Sequence, residues 1–463
     1  MYALQGDFMS VNRLTFHEIC QILNSPVFPA EIDSFTPSVV VDSRLLQKND
    51  LFIALPGEKT DGHHFLNEVE KKGAAAAIVS NDFLRQNKTN FHMPILGVDD
   101  VLEALQKLAQ EYLKQRQVKI VAITGSVGKT TTKHLLFQLL QKHFSVAFSP
   151  GNQNSQIGLP LSILNHYHGH EDVLILEMGM TAQGHIQKLI EIAPPDIAIV
   201  TALELVHVAG VHSLENIAHA KREILTHPKT MLGLIPSEIP FYALLHETGT
   251  CRKQSFSTLS IQADYCLHEQ DQHLQIRDSQ GLSPLLPRLP FLGKHNQHNF
   301  LAAISACRAL GMTWSDIQQV IPTLTLPERR LEQVIKKGIL FINDSYNAAL
   351  TSVKAALDAL PPPLQFSGKR IGVIGEMVEL GTFSEACHRE VGILSLAKLD
   401  LMICYGDGCL PIEEVWKKHN KPVHLTLTFE QVIAELKQHV LPGDVVLLKG
   451  SNKKQLWKVL EYF

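Results

Sequence analysis

Six runs of almost uninterrupted apolar residues constrain this chain more than any other feature. They are VKIVAIT (118–124), DVLILEM (172–178), DIAIVTAL (196–203), RIGVIGEM (370–377), LDLMICYG (399–406) and DVVLLKG (444–450). A strand with water on one face alternates apolar and polar residues, so a strand that is apolar throughout must be covered on both faces. Helix-length segments separate the runs, and that alternation predicts parallel strands joined by crossover helices, an α/β fold. The segment VLEALQKLAQEYLKQ (101–115) carries apolar residues at helical spacing and reads as the amphipathic helix leading into the first run.

At 463 residues the chain exceeds what one core organises, and ~150 residues per domain predicts about three domains. Residues 1–98 mix short strand signals (PSVVVDSR, DLFIAL) with the turn-rich PGEKTDGHH and read as a small mixed N-terminal domain. Residues 99–326 read as a central domain with a mostly parallel sheet and a phosphate loop, and residues 327–463 as a C-terminal Rossmann-like sheet. Between Ser257 and Leu289 the pattern breaks into shorter, polar-alternating pieces, which predict a small antiparallel excursion.

The phosphate loop is read from VAITGSVGKTTTK (121–133). A full G-x-x-x-x-G-K-[ST] motif would need glycine where Ile123 stands, so only G-x-x-G-K-T is present. A buried strand ending at Thr124 delivers the chain to Gly125 and Gly128, whose missing side chains let backbone N–H groups curl around a polyphosphate. The following helix points its positive end at the same place. Lys129 supplies a mobile cation for the outer phosphates, and Thr130 a hydroxyl suited to Mg2+. The alternative is a strand–turn–helix junction with a solvated lysine; the coincidence of strand, G-K-T-T and helix favours nucleotide binding. Glu177 ends a second apolar run, where open parallel sheets place their ligands, and could hold a metal or cap a helix. Spacing alone nominates neither His207 nor Lys221, and the histidines of LNHYHGHED (His166, His168, His170) read as a solvated turn.

Composition removes several function classes. Lys and Arg number 42 against 46 Asp and Glu, a formal charge of -4 that gives no general reason for nucleic-acid binding. No apolar stretch approaches the ~20 residues that span a bilayer. MYALQGDFMSVNRL lacks a charged segment followed by an apolar core, so no export signal and a cytoplasmic location are expected. Seven scattered cysteines without a C-x-x-C pair predict free thiols rather than disulfides or a cysteine zinc site. Nothing suggests a coiled coil, and a monomer is expected.

Taken together, the motifs resemble the Mur ligase family of bacterial cell-wall synthesis. The resemblance runs along nearly the whole chain: DSRLLQKNDLFIALPGEKTDGHHF, ITGSVGKTTTK, GNQNSQIGLPLSIL, EMGM, the segment from His207 to Lys221, GKHNQHNFLAA, PERRLE, INDSYNAAL, VIGEMVELG and LLKGS. Ser345-Tyr346-Asn347 is similar to the dipeptide-adding branch of the family rather than the branch adding the third residue. That resemblance implies an ATP-dependent, ADP-forming ligase of peptidoglycan precursor synthesis, with UDP-N-acetylmuramoyl-tripeptide and D-alanyl-D-alanine as partners. It implies ATP contacts from Thr124, Gly125, Ser126, Val127, Gly128, Lys129, Thr130 and Thr131. Adenine contacts are implied for His295, Asn296 and Asn299, and closure over the nucleotide for Arg330 and Asp344. Mg2+ is implied at Thr130, Glu177, His207 and Lys221, with Lys221 carbamylated by CO2. Lys129, Lys221 and His207 are implied as catalytic, and Ser43 and Arg44 as lying near the uridine end of the sugar substrate. The chain departs from the family pattern at Ala202, Leu203 and Glu204 (commonly Asn-Ile-Gly), at Asn343, Ala349 and Leu350, at Arg329 (commonly Gly) and at Asn452 (commonly Arg). A folylpolyglutamate-type ligase and a non-catalytic nucleotide-binding regulator are the alternatives that share the loop.

Overall fold

Each apolar run forms a buried strand, and three sheets result. The computed structural model describes residues 13–25, 36–57, 60–87, 91–204, 213–270, 273–378 and 380–463. In the first sheet β1 (Val39–Val40), β2 (Leu51–Ile53), β3 (Ala76–Ser80) and β4 (Ile95–Val98) lie in sequence order, all parallel. The second contains β5 (Lys119–Thr124), β6 (Val146–Phe148), β7 (Val173–Glu177), β8 (Ile197–Val200), β9 (Leu232–Pro236) and β10 (Arg252–Ser257). It continues through β11 (Tyr265–Gln270), β12 (His273–Asp278), β13 (Gly281–Leu282) and β14 (Leu286–Pro287). Its order is β13-β12-β11-β10-β9-β8-β5-β7-β6, with β14 beside β12. Pairing is parallel from β6 to β11 and antiparallel from β11 onward, which is the excursion expected between Ser257 and Leu289.

The third sheet runs β15-β16-β20-β17-β18-β19, from β15 (Glu332–Lys336), β16 (Ile339–Asp344), β17 (Arg370–Gly375), β18 (Leu401–Tyr405), β19 (Val423–Thr426) and β20 (Val445–Lys449). Only β15 is antiparallel to its neighbour. The doubly wound α/β class read from the alternation is thus the architecture observed.

Both faces of the central strands are covered, as their composition requires. On β5, Ile120 and Ala122 enter one apolar cluster while Val121 and Ile123 enter another; on β7, Leu174 and Leu176 separate from Val173 and Ile175 in the same way. The third sheet repeats the division, with Leu340 and Ile342 of β16 on one side and Ile339 and Phe341 on the other. Period-2 alternation with apolar residues in both registers leaves no face for water. The helix Val101–Lys114 is capped by the Asp100 carboxylate, which accepts from Glu103 N at 2.9 Å. Its Leu105, Leu108 and Tyr112 join a single cluster with Leu51 and Ile78 of the first sheet and Leu174 of the second, so this helix welds the two sheets. All seven cysteines are free, as expected, and no helix among the described residues is long and apolar enough to cross a membrane.

Strand order positions the site. β5 lies between β7 and β8, so the chain leaves it toward one side for β6 and β7 and toward the other for β8. Such a reversal opens a crevice at the carboxyl ends of the strands, and the loop after Thr124 sits in it.

Candidate active site

The loop between β5 and the helix Lys129–Leu140 is built around two glycines. Gly128 adopts a φ of 88° and caps the helix; a Cβ there would stand 2.4 Å from Asn299 Oδ1. At Gly125 a Cβ would fall 1.9 Å from Thr201 Oγ1. Neither position can carry a side chain without moving a neighbour, so the close backbone packing of the loop requires glycine at both. Thr201 ties the loop down by donating to Val127 O at 2.5 Å, and Ser126 N donates to Ala202 O at 2.8 Å. Ser126 Oγ also donates to Glu204 O and accepts from Glu204 N. Of the Ala202-Leu203-Glu204 segment, Ala202 and Glu204 thus hold the phosphate loop, and they do so through backbone atoms, which tolerate a change of side chain.

Lys129 folds back on its own loop, with Nζ donating to Gly125 O at 2.8 Å. Burial lowers its pKa, Glu177 offsets part of that, and Arg330 lowers it further. Glu177 is buried to 2% exposure. Its Oε2 accepts from Thr130 Oγ1 at 3.0 Å and lies 3.4 Å from Lys133 Nζ, while its Oε1 accepts from Asn154 Nδ2 at 2.8 Å. Burial works to raise the Glu177 pKa, but Lys129, Lys133 and the two hydrogen bonds hold it below the usual carboxylate value. The carboxylate is therefore charged, oriented and aimed at the loop.

Lys133 is itself 2% exposed and donates to Ser149 O at 2.7 Å and Gly151 O at 2.8 Å. Breaking a buried pair from one side strands the other charge, at about 3–5 kcal/mol. Lys133→Ala is accordingly expected to destabilise the ligand-free chain by about 3 kcal/mol, read from its urea midpoint. An unchanged midpoint would contradict the pairing.

Lys221 ends the helix Leu214–Lys221 and is 4% exposed. Among the described residues its ammonium has no hydrogen-bond or ion-pair partner. Burial first, and the nearby Lys129 second, lower its pKa well below that of a free lysine. His207 lies outside the described residues.

Asn299 and Asn296 sit on the helix Lys294–Ala309, which packs against the phosphate-loop helix. Asn299 Oδ1 accepts from Thr132 Oγ1 at 3.4 Å, and Asn296 Nδ2 donates to Leu292 O at 2.8 Å. His295, on the same helix, opens onto a cleft of about 590 Å3 lined also by Glu204, Lys294, Thr351, Lys354 and Asp358. That volume suits a nucleotide-sized ligand. Glu204 accepts a hydrogen bond from Thr351 Oγ1 across this cleft, so the third sheet's unit touches the loop's own support.

Arg330 and Asp344 come from that unit. The Arg330 guanidinium lies 4.2 Å from the centre of the Tyr346 ring, and its Nε is buried without a hydrogen-bond partner. Asp344 accepts from Leu331 N at 3.2 Å and pairs with the buried Lys449 at 3.1 Å. Arg329 takes a φ of 61°, a conformation costing ordinary residues about 1–2 kcal/mol and glycine nothing. Its guanidinium stacks 3.7 Å over Trp457 and donates to Asn452 Oδ1 at 3.4 Å. Two departures from the family pattern, Arg329 and Asn452, therefore meet each other.

Ser43 and Arg44 lie beyond β1, away from this cluster. Ser43 is buried and its carbonyl accepts from Lys72 Nζ at 2.7 Å; Arg44 is exposed and forms a two-point ion pair with Asp42. The structure thus gathers Lys129, Thr130, Glu177, Lys221, Asn299 and, from the third unit, Arg330, and leaves Ser43 and Arg44 apart. Lys133, Asn154, Thr201 and Lys449 were not nominated from sequence. Lys133 could have been, since it lies one helical turn beyond Lys129 on the same face.

A glycine-walled loop at a helix start, a charged carboxylate beside it and Arg330 from the third sheet's unit make an anion-binding site of the kind that nucleotide-dependent enzymes use. Three family descriptions match: Mur ligase family, catalytic domain, at residues 37–113; Mur ligase middle domain at 123–307; and Mur ligase, glutamate ligase domain, at 329–452. A Bacillus subtilis protein, UDP-N-acetylmuramoyl-tripeptide--D-alanyl-D-alanine ligase, is 34% identical over 91% of this chain and 92% of its own. MurF from Acinetobacter baumannii superposes with a TM-score of 0.85 at 26% identity, covering 97% of this chain and 98% of that one. MurF ligase from Thermotoga maritima in complex with ADP gives 0.77 at 30% identity, over 93% and 97%. The chain belongs to the Mur ligase family.

Proposed function

We propose that this protein joins D-alanyl-D-alanine to UDP-N-acetylmuramoyl-tripeptide, cleaving ATP to ADP and phosphate, in the cytoplasmic synthesis of peptidoglycan precursor on which cell shape and division depend. The observation that carries the reading is the Lys129–Thr130–Glu177 cluster at the crevice of the central sheet, in a chain similar over nearly its full length to a ligase of that name. A carboxylate resists attack because oxide is a poor leaving group. Transfer of the γ-phosphoryl group to the tripeptide's terminal carboxylate gives an acyl phosphate. The dipeptide amine then attacks its carbonyl, the C–O bond to phosphate breaks, and phosphate leaves.

Such a reaction asks for alignment and charge neutralisation more than for covalent chemistry. The loop from Thr124 to Thr131 holds the phosphates, and Lys129 exchanges Gly125 O for the outer phosphoryl group. Arg330, with an unpaired Nε, meets the developing charge from the third unit. Asn296, Asn299 and His295 would border the base in the cleft.

Thr130 and Glu177 present oxygen donors 3.0 Å apart, which fits Mg2+. Bound there, Mg2+ would neutralise charge on the phosphoryl oxygens. Lys221 fits carbamylation, because burial lowers the pKa of its amine well below that of a free lysine and so favours the nucleophilic, uncharged form. Its nitrogen adds to CO2 with loss of one proton, turning the amine into a carboxylate-like ligand.

Three units would divide the work: residues 1–98, with Ser43 and Arg44, would grip the UDP-sugar; residues 99–326 would hold ATP; residues 327–463 would bring the dipeptide and Arg330 as a monomer closes and excludes water. ADP release measured with UDP-N-acetylmuramoyl-tripeptide, with and without D-alanyl-D-alanine, tests the reading. Release that requires both supports it. Turnover only with a folate and glutamate would assign the folylpolyglutamate-type alternative, and nucleotide binding without release under any pairing would assign a regulator.

A further inference from the structure

Among the described residues, one group of three metal-ligating side chains converges outside the ligase site: His424, Glu435 and His439. His424 stands on β19, the edge strand farthest from β15 in the third sheet. Glu435 and His439 lie one turn apart on the helix Phe429–His439, which packs against β18 and β19. Amphipathic spacing explains why they are neighbours: Val432, Ile433 and Leu436 face the core, which leaves Glu435 and His439 together on the flank beside β19. The histidines of LNHYHGHED form no such group.

Glu435 Oε2 lies 3.2 Å from His424 Nδ1 and 3.4 Å from His439 Nε2. At those distances a hydrogen bond would be expected, yet neither Glu435 Oε2 nor His439 Nε2 has a hydrogen-bond partner, and both atoms are shut off from solvent. The three donor atoms all lie within 4.8 Å of one another. Ligands at about 2.0–2.1 Å from a tetrahedral ion stand about 3.3 Å apart. The 3.2 and 3.4 Å separations bracket that value. Two imidazoles with one carboxylate suit zinc and related transition ions, and do not suit Mg2+ or Ca2+, which take oxygen.

We propose that His424 Nδ1, Glu435 Oε2 and His439 Nε2 form a binding site for a divalent transition-metal ion of the zinc class, with a water in the fourth position. The side chains are 34%, 27% and 29% exposed, which places the group at the surface of the sheet edge, with Glu435 Oε2 and His439 Nε2 themselves covered. Occupied, the site would pin the edge strand β19 to the helix that covers it. It lies at the opposite side of the third sheet from β16 and Asp344, so it would act on the fold of this unit rather than on phosphoryl transfer.

The test uses the full chain, stripped with chelator and titrated with Zn2+ by calorimetry, and with Co2+ followed by its visible spectrum. One tight Zn2+ per chain is expected, with a four-coordinate Co2+ spectrum and a raised thermal midpoint. His439→Ala and the near-isosteric Glu435→Gln should each weaken that site at least ~100-fold, since even loss of an outer partner costs 10–100-fold. Unchanged far-UV circular dichroism separates loss of a ligand from loss of fold. Absence of a tight site in the wild type, a six-coordinate Co2+ spectrum, or equal affinity in the variants would overturn the proposal.

Discussion

Lys129→Ala should lower dipeptide-dependent phosphate release at least ~100-fold, the loss typical of removing a main electrostatic stabiliser. The reason is positional. Lys129 Nζ already occupies the loop, 2.8 Å from Gly125 O, while Lys133, one turn further along the helix, is committed to Glu177, Ser149 O and Gly151 O. Because the loop's backbone is fixed by Thr201 and Ser126, the variant should fold and show its defect in turnover. Single-turnover assays with saturating ATP separate this from weaker binding. Near-normal turnover would contradict the assignment of Lys129.

A second substitution should separate stability from activity. Lys221 is buried without a partner among the described residues, and a polar group in that position costs about 1–3 kcal/mol. Lys221→Met keeps the shape and removes the amine, so the ligand-free chain should gain about 1–2 kcal/mol, while turnover falls at least ~100-fold through loss of the ligand that carbamylation would create. The sign of the pH effect follows from linkage. The folded pKa lies below the ordinary 10.5, so between the two values the unfolded chain binds the extra proton and the stability of the native lysine protein rises with pH. The advantage of Lys221→Met should therefore shrink as pH climbs toward 10.5. Urea titrations at several pH values, beside bicarbonate-dependence of wild-type turnover, check both halves. A destabilised variant that keeps its activity would contradict the role given to Lys221.

Much of this was legible because it is local. The apolar runs ending at Thr124 and Glu177 fold as β5 and β7 with both faces buried, and GSVGKTT makes the turn and helix start that its glycines allow. What could not be read is pairing across distance. Thr130 meets Glu177 across 47 residues, and no spacing rule connects them; strand order does, by setting β7 beside β5. Asn154 reaches the same carboxylate from a loop whose asparagines look alike in sequence. Arg329 and Asn452, far apart in sequence, touch across 123 residues, a pairing that no local spacing shows. The convergence of His424 with Glu435 and His439 is of the same kind, since a strand and a helix supply the donors.

The central claim is that ATP activates the tripeptide's carboxylate as an acyl phosphate. Tripeptide substrate carrying 18O in that terminal carboxylate measures it directly: attack by the dipeptide amine must break the C–O bond and leave one labelled oxygen on phosphate. Mass spectrometry of the released phosphate should find one 18O per turnover. Phosphate released without label, with D-alanyl-D-alanine nevertheless incorporated, would contradict the account.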